Sequence, residues 1–472
     1  MSDHAVLFQS PRPEVIIWRP DRSEKICFDL LNKTLLQSYT FSTSINDEKG
    51  KFSLIFYPDD VIFDQINIMD IVEICESQSS SDFDSKSNKH LPSFVGIIRE
   101  KKYVFQKTDS GVNRKIHITG HSIAGLVHEF KINLDIRAMT ITKQIANGEV
   151  LRNELTTKFT RANNKTLTVK YVISEIWKTF LNVSCKYDKL STPEIAKYIE
   201  QWIGNEEKLF DVDDSSFYYP LASIFHGQST QTFFNIIADI IPKPVYEIFP
   251  ITYSGKANGK NGESRLVIRE CPFDEDKWKN LHCVPIDTKT IKSFDVKQSD
   301  DEVYTVFFSY LRGSAIQEDR AIILAAQNAN AHPGLVYDEK YGKYGYRPLL
   351  VSFNGYGIKD GTTDTDTVGR LNKMNERLQK WYSNKDVMLS GSITMGTNLK
   401  EYSKNPQVGE KISFLGGEFY VIDCEHSWNY GGTSETKITF DRGGAYDSNG
   451  VFSKLENLTK RYQEFEEYKN AS

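Results

Sequence analysis

The chain carries the same ordered trio of β patterns twice, and this constrains its fold more than any single motif. In the first copy Asp70-Ile71-Val72-Glu73-Ile74 precedes Phe94-Val95-Gly96-Ile97-Ile98 and then Lys115-Ile116-His117-Ile118-Thr119-Gly120. In the second, Glu410-Lys411-Ile412-Ser413-Phe414 precedes Phe419-Tyr420-Val421-Ile422-Asp423 and then Lys437-Ile438-Thr439-Phe440-Asp441. Each trio opens on an acidic residue before an alternating strand, continues with an aromatic-led strand and closes on a Lys-led strand rich in Ile and Thr. Alternation puts successive side chains on opposite faces, so each segment has one face to bury. Alternating strands of any β protein resemble one another by chance; the other reading is duplication of one small antiparallel barrel. Aromatic residues make up 12% of the 472 residues, which favours pleated surfaces. At ~150 residues per domain the length suggests about three domains.

Short strands and turns fill the chain from Cys27 to about Gly120, over Ser38–Ile45, Phe52–Tyr57, Met69–Cys75, Phe94–Phe105 and Lys115–Thr119. The Ser-rich stretch Ser77–Lys89 reads as an exposed loop. From about 130 to 245 the apolar spacing becomes helical, with Ile173, Ile176, Trp177 and Phe180 on one stripe. A second stripe, Phe233, Phe234, Ile236, Ile237, Ile240 and Ile241, has possible caps at Ser229 and Thr230 and ends at Pro242-Lys243-Pro244. Val245–Phe249 and Ser264–Glu270 read as a hairpin. A second strand-rich region opens near Ile286 and is interrupted by a Gly- and Asp-rich linker around Asp338–Thr367. Within it Val368, Leu371, Met374, Leu378 and Trp381 fall on one helical face. Leu455, Leu458, Tyr462 and Phe465 make a narrow stripe on an expected C-terminal helix. The expected organisation is an N-terminal arm 1–25, a first barrel domain 26–130, an inserted α/β domain 131–285, a second barrel domain 286–445 and a helix 446–472. The expected fold class is a β-rich α+β one, with two similar antiparallel barrels on the duplication reading, an inserted α/β domain and a C-terminal helix.

Charge and cysteine usage remove several function classes. Lys and Arg number 58 against 63 Asp and Glu, for a net charge of -5, so no broad cationic field invites nucleic acid as a bound ligand. The cysteines at 27, 75, 185, 271, 283 and 424 form no CxxC pair and have no His at zinc-ligand spacing. Free buried thiols are the expectation. Neither a signal peptide at Met1-Ser2-Asp3-His4 nor an apolar run of ~18 residues is present, so folding in the cytoplasm and no membrane span are expected.

Few segments hint at chemistry. His128-Glu129 and Cys424-Glu425-His426 complete neither an HExxH helix nor a Cys/His frame, and Cys424 falls in an expected strand. Gly355-Tyr356-Gly357 lacks the strand-to-helix setting that cradles phosphate. Asp213-Asp214 and Asp300-Asp301 read as solvated loop acids rather than a glycosidic pair. Phe217-Tyr218-Tyr219 and Phe307-Phe308 read as core or interface aromatics. No catalytic, cofactor-binding or metal-binding residue is assigned.

The order of the Ile71 strand, Phe94–Ile98, Gly120-His121-Ser122, Lys292-Ser293-Phe294-Asp295-Val296, Pro406-Gln407-Val408-Gly409-Glu410 and Phe419–Phe440 resembles baseplate hub proteins of contractile phage tails. The resemblance covers roughly residues 26 to 445 and extends to late-control tail proteins, tailocin hubs and the hub half of type VI secretion spike proteins. It implies two tube-like barrels per chain, a homotrimer forming a pseudo-hexameric ring, and an axial channel. It further implies a hexameric tail tube protein on one face, a separate trimeric central spike protein on the other, and contacts with other baseplate proteins. Tape measure protein or DNA would pass through the channel, and the location would be a virion tail baseplate or an equivalent injection particle. A structural role without enzymatic activity follows from it. A tail-tip cell-wall hydrolase and a peripheral receptor-binding tail protein are the competing expectations.

Overall fold

The computed structural model describes residues 12–29, 35–77, 92–108, 111–129, 243–253, 263–311, 334–353, 356–358, 367–398 and 405–458, with short stretches of 131–241 and of 460–463. Most described residues in regular structure lie in antiparallel strands, and one 14-stranded sheet dominates. Its strands are β1 (Arg12–Trp18), β2 (Lys25–Asp29), β3 (Leu36–Ser44), β4 (Lys51–Phe56), β5 (Ile71–Ser77), β6 (Phe94–Thr108) and β7 (Gly111–Ser122) in the first part of the chain. A short helix α1 (Asp60–Gln65) follows β4, with Asp59 capping the Ile62 amide. A hairpin β8 (Tyr246–Thr252) and β9 (Ser264–Glu270) follows, as the sequence predicts, in a separate small sheet. The last part adds β10 (Cys283–Pro285), β11 (Ile291–Gln298), β12 (Leu389–Gly396), β13 (Lys411–Phe414), β14 (Gly417–Asn429), β15 (Glu435–Tyr446) and β16 (Phe452–Ser453), with helix α2 (Thr367–Tyr382) between β11 and β12.

The two parts repeat one topology. In the first the hydrogen-bonded order is β3-β4-β7-β6-β5, and in the second it is β11-β12-β15-β14-β13. The irregularities repeat too. β3 slips against β4 between Leu36 and Ser38, and β11 slips against β12 between Ile291 and Ser293. β6 shifts against β7 between Ile98 and Glu100, and β14 shifts against β15 between Val421 and Asp423. Even the turn entering the third strand is shared. Asp70 accepts the Asn67 amide at 2.8 Å, and Glu410 accepts the Gln407 amide at 2.9 Å. Met69 and Gly409, both at positive φ, donate their amides to Ile98 and Val421 at 2.9 Å. This explains the acidic residue that opens each trio: its carboxylate closes a turn.

These bonds also correct the residue-by-residue match. Ile98 and Val421 donate to the carbonyls of Asp70 and Glu410, which makes Ile98 and Val421 equivalent. Phe94 then corresponds to Gly417 rather than Phe419. Ile98 pairs with Gly120 and Val421 with Phe440, so Lys115 corresponds to Glu435 rather than Lys437. The first strands match as read, 71–74 with 411–414. A slip of two residues preserves inward and outward alternation, so the pattern alone does not see it.

Each five-stranded unit has its own apolar cluster. Val72, Ile74, Phe52, Leu54, Phe56, Ile116 and Ile118 belong to one, and Ile412, Phe414, Ile393, Phe419, Phe440 and Ile438 to the other. A third cluster lies under the inserted segments, where α2 buries Leu371, Met374, Leu378 and Trp381, the face its periodicity predicts. Arg377 and Trp381 bond Asp274 from α2, which ties this helix to the chain beyond the β8–β9 hairpin. Among the described residues the sheet path runs from β11 to β2 without closing on itself.

Several expectations shift locally. The arm 1–25 contains β1, which pairs with β5 along its length. The linker Asp338–Thr367 holds a helix at Asp338–Tyr344 and strands at Pro348–Phe353 and Tyr356–Ile358, because the apolar run after Pro348 pairs in parallel with Val306–Leu311. Thr230 sits in a strand, and it is Thr232 that caps the following helix by accepting the Asn235 amide. Ser229, the loop from 78 to 89, Ile176 and Phe180, and Tyr462 and Phe465 lie outside the described residues. Leu455 is buried against the second unit, and Leu458 packs beside it. Among the described residues no helix is long and apolar enough to cross a membrane.

The shared turn gives a direct test. A Cβ on Gly409 would stand 2.5 Å from Arg269 Nη2 and 2.6 Å from Phe249 Cζ, at φ +84. Gly409→Ala is expected to destabilise the chain by ~2 kcal/mol or more in chemical denaturation, through left-handed strain plus overpacking. At the equivalent position Met69→Gly, at φ 77, is expected to change stability by less than ~1 kcal/mol.

Candidate functional site: an assembly seam

The described residues offer an interface more readily than a reaction centre. The joint between the units is its clearest part. Residues 423–429 of β14 pair antiparallel with residues 44–38 of β3, from Asp423 opposite Ser44 to Asn429 opposite Ser38. The pairing extends one residue at each end, Ile45 donating to Ile422 O at 2.9 Å and Tyr430 to Gln37 O at 2.8 Å. The inner part of the same β14 edge, 417–420, is taken by β13. One strand thus serves two partners in succession, a short one of its own unit and then a strand of the other.

Side chains fill the seam from both units. Trp428, 1% exposed, enters the first unit's cluster and stacks on Tyr39 with ring centroids 5.6 Å apart. His426 stacks on Phe41 at 4.8 Å. Behind them runs a buried polar chain. Tyr39 donates its hydroxyl to Glu76, and Ser434 donates to the same Glu76 oxygen at 2.8 Å. Ser434 also reaches Thr397 at 3.2 Å, Thr397 meets Thr436 at 2.8 Å, and Thr436 meets His426 Nδ1 at 2.9 Å. Burial raises the Glu76 carboxyl above its usual range, opposed in part by the Tyr39 and Ser434 hydroxyls. Burial also pushes the His426 imidazole down to about 3, so it is neutral at pH 7. A neutral ring can stack on Phe41 without carrying a charge out of water.

A second joint fastens the β8–β9 hairpin to the second unit. Arg269 donates to Glu247 at 2.6 Å, to the Gly409 carbonyl at 2.6 Å and to the Tyr420 hydroxyl at 2.9 Å. Tyr420 in turn donates to Glu247 at 2.5 Å. The planar guanidinium fork thereby reads the positive-φ turn and the β14 strand together.

The residues weighed for chemistry are dispersed among structural contacts. His128 stacks on Phe234 at 4.0 Å, and burial lowers its imidazole to about 4. Glu129 instead pairs with His121 and Arg99, each at 2.9 Å. Cys424 lies in the second unit's core with its thiol pushed well up by burial, and it donates to Pro406 O at 3.2 Å. Asp300 pairs with Arg347 at 3.0 Å, and Asp301 is exposed. Phe307 is buried in the third cluster. Tyr356 and Gly357 form a strand against Tyr218 and Phe217. Asp213, Asp214, Tyr219 and Gly355 lie outside the described residues. Among the described residues no three His, Cys, Asp or Glu side chains converge as a metal site. Sequence reasoning missed Trp428, Tyr39, Glu76 and His426 as one cluster. Only the alternation of Tyr39 with Phe41 and of His426 with Trp428 marked them as sharing a face.

No family model matches the chain, and no curated protein matches it. Solved structures do align along most of its length. A tail protein from Neisseria meningitidis aligns with a TM-score of 0.47 at 10% identity, over 92% of this chain and 96% of that one. A prophage 43 kDa tail protein from Shewanella oneidensis aligns with a TM-score of 0.46 at 10% identity, over 94% and 100%. A component of the Escherichia coli type VI secretion system aligns with a TM-score of 0.38 at 9% identity, over 91% and 78%.

The seam makes its own pH dependence. The folded Glu76 pKa lies above the unfolded value of 4.5, so stability present below that value is lost as pH rises through the folded pKa. Glu76→Gln keeps an acceptor for Tyr39 and Ser434, and it is expected to flatten the decline in denaturant midpoint that wild type shows on raising the pH from about 5. Trp428→Ala is expected to destabilise by about 3–5 kcal/mol at any pH in the same titration.

Proposed function

We propose that the protein is a structural hub of a contractile tail or related injection system, in which three copies close into a ring of six similar seats. The observation that carries this reading is the repeated unit: two five-stranded sheets with the same strand order, two matching register slips and the same carboxylate-closed turn, joined side by side in one sheet. Two quasi-equivalent units per chain let a threefold assembly offer sixfold contacts. That is what a hexameric tail tube needs in order to rest on a trimeric spike.

In this reading the parts 26–130 and 286–445 are the tube-like barrels, each curled about its own apolar cluster. Arg269 holds the β8–β9 hairpin of the insertion 131–285 to the second unit, and Arg377 holds α2 to the chain just beyond that hairpin. One face of the ring receives the tail tube protein, the other a separate spike protein, and the axis admits tape measure protein or DNA. Other baseplate proteins bind around it in the virion or injection particle. The role asks for shape and edge complementarity rather than catalysis.

Native mass spectrometry of the purified chain at micromolar concentration is expected to give three copies, and cryo-electron microscopy a ring with an open axis burying well over ~2,000 Å² per pair. A monomer under these conditions, or an off-axis position in the assembled particle, overturns the reading.

A further inference from the structure

The seam inside the chain has an unfilled counterpart at its two ends. Equivalence of Ile98 with Val421 and of Ile116 with Thr436 makes residues 100–106 of β6 the counterpart of residues 423–429 of β14. The pairs Leu54–Tyr39 and Ile393–Phe294 make residues 293–298 of β11, with Ser299 just past its end, the counterpart of residues 38–44 of β3. As on β14, the inner part of the β6 edge is occupied by a short strand, β5 against 94–97. Beyond it, among the described residues, no strand pairs with that edge, and β11 pairs with β12 alone.

The side chains at these edges match their counterparts in position and differ in burial. Phe105 corresponds to Trp428 and is 58% exposed, against 1% for Trp428. Tyr103 corresponds to His426 and is 38% exposed, against 5%. Their expected partners Phe294 and Val296 correspond to Tyr39 and Phe41. Phe294 and Val296 are only partly buried at the margin of the second unit's core, where Tyr39 and Phe41 are fully enclosed. A long open edge carrying exposed aromatics is a template for another strand.

We propose that residues 100–106 of one copy pair antiparallel with residues 293–299 of a second copy, in the register of the internal seam. Glu100 then faces Ser299, Val104 faces Asp295, and Gln106 faces Ser293. Phe105 of one copy enters the second unit of the next beside Phe294, as Trp428 does beside Tyr39. Lys102 faces Lys297, with Asp295 two residues along. The contact is head-to-tail, so it propagates until rotation closes it. The inference rests on the hub reading for the number of copies, while the pairing itself rests on the internal seam.

Val104 and Asp295 take the place of Ser427 and Thr40, a pair flanked by mutually bonded ones, where Cα atoms stand about 4.5 Å apart, within disulfide reach. The full chain carrying Val104→Cys and Asp295→Cys, mildly oxidised and run on a non-reducing gel beside wild type, is expected to give covalent species ending at three chains. Phe105→Cys with Asp295→Cys, one residue out of register, is expected to give none above the wild-type background. Phe105→Glu, at an exposed position, is expected to leave the melting temperature unchanged and weaken assembly at least about tenfold. A cross-linked ladder running past three chains supports the pairing and removes the threefold ring. A three-copy particle without the Val104–Asp295 cross-link, or one that tolerates Phe105→Glu, overturns the pairing and leaves the ring. A monomer with no cross-link overturns both.

Discussion

The architecture hangs on one strand edge shared by two partners. β14 is longer than β13, so its outer arm leaves its own unit and finds β3 of the other. Without that overhang the two units would be separate sheets with separate cores. With it they are one sheet, and Trp428, carried on a strand of the second unit, is enclosed by the core of the first. A buried Trp stacked on Tyr39 fixes register as well as affinity, because a one-residue slip would turn it to the opposite face.

The polar chain behind the seam sharpens this. Glu76, Tyr39, Ser434, Thr397, Thr436 and His426 come from strands of both units and from the chain between them, and each hydroxyl bridges to the next. Such a network tolerates little displacement, since each lost bond leaves a buried polar atom unsatisfied. Apolar stacking therefore holds the seam while the hydroxyl chain selects its geometry. The Arg269 fork does the equivalent for the inserted hairpin, reaching one carboxylate, one carbonyl and one phenol.

The same turn serves both units with different residues. Met69 takes a left-handed conformation that Gly409 adopts without strain, and Asp70 does with a shorter side chain what Glu410 does with a longer one. Around them the environments differ: Arg19 bonds Asp70, whereas His282 bonds Glu410. What the two units share is backbone path and bonding rather than side-chain identity. A comparison by identity alone therefore finds little to match.

Much was legible beforehand in the residues. The strands at 38–45, 52–57 and 69–75, the β8–β9 hairpin, the buried face of α2 and the repetition of one trio follow from alternation and helical spacing, which are local properties of the chain. The two-residue offset between the copies, the joining of the units through β14 and β3, and the convergence of Glu76 with Ser434 across 358 positions of sequence do not. Periodicity states which face a side chain takes and is silent on which edge its strand offers. Edge pairing depends on where a strand outruns its neighbour, and that is decided only when the sheet is assembled.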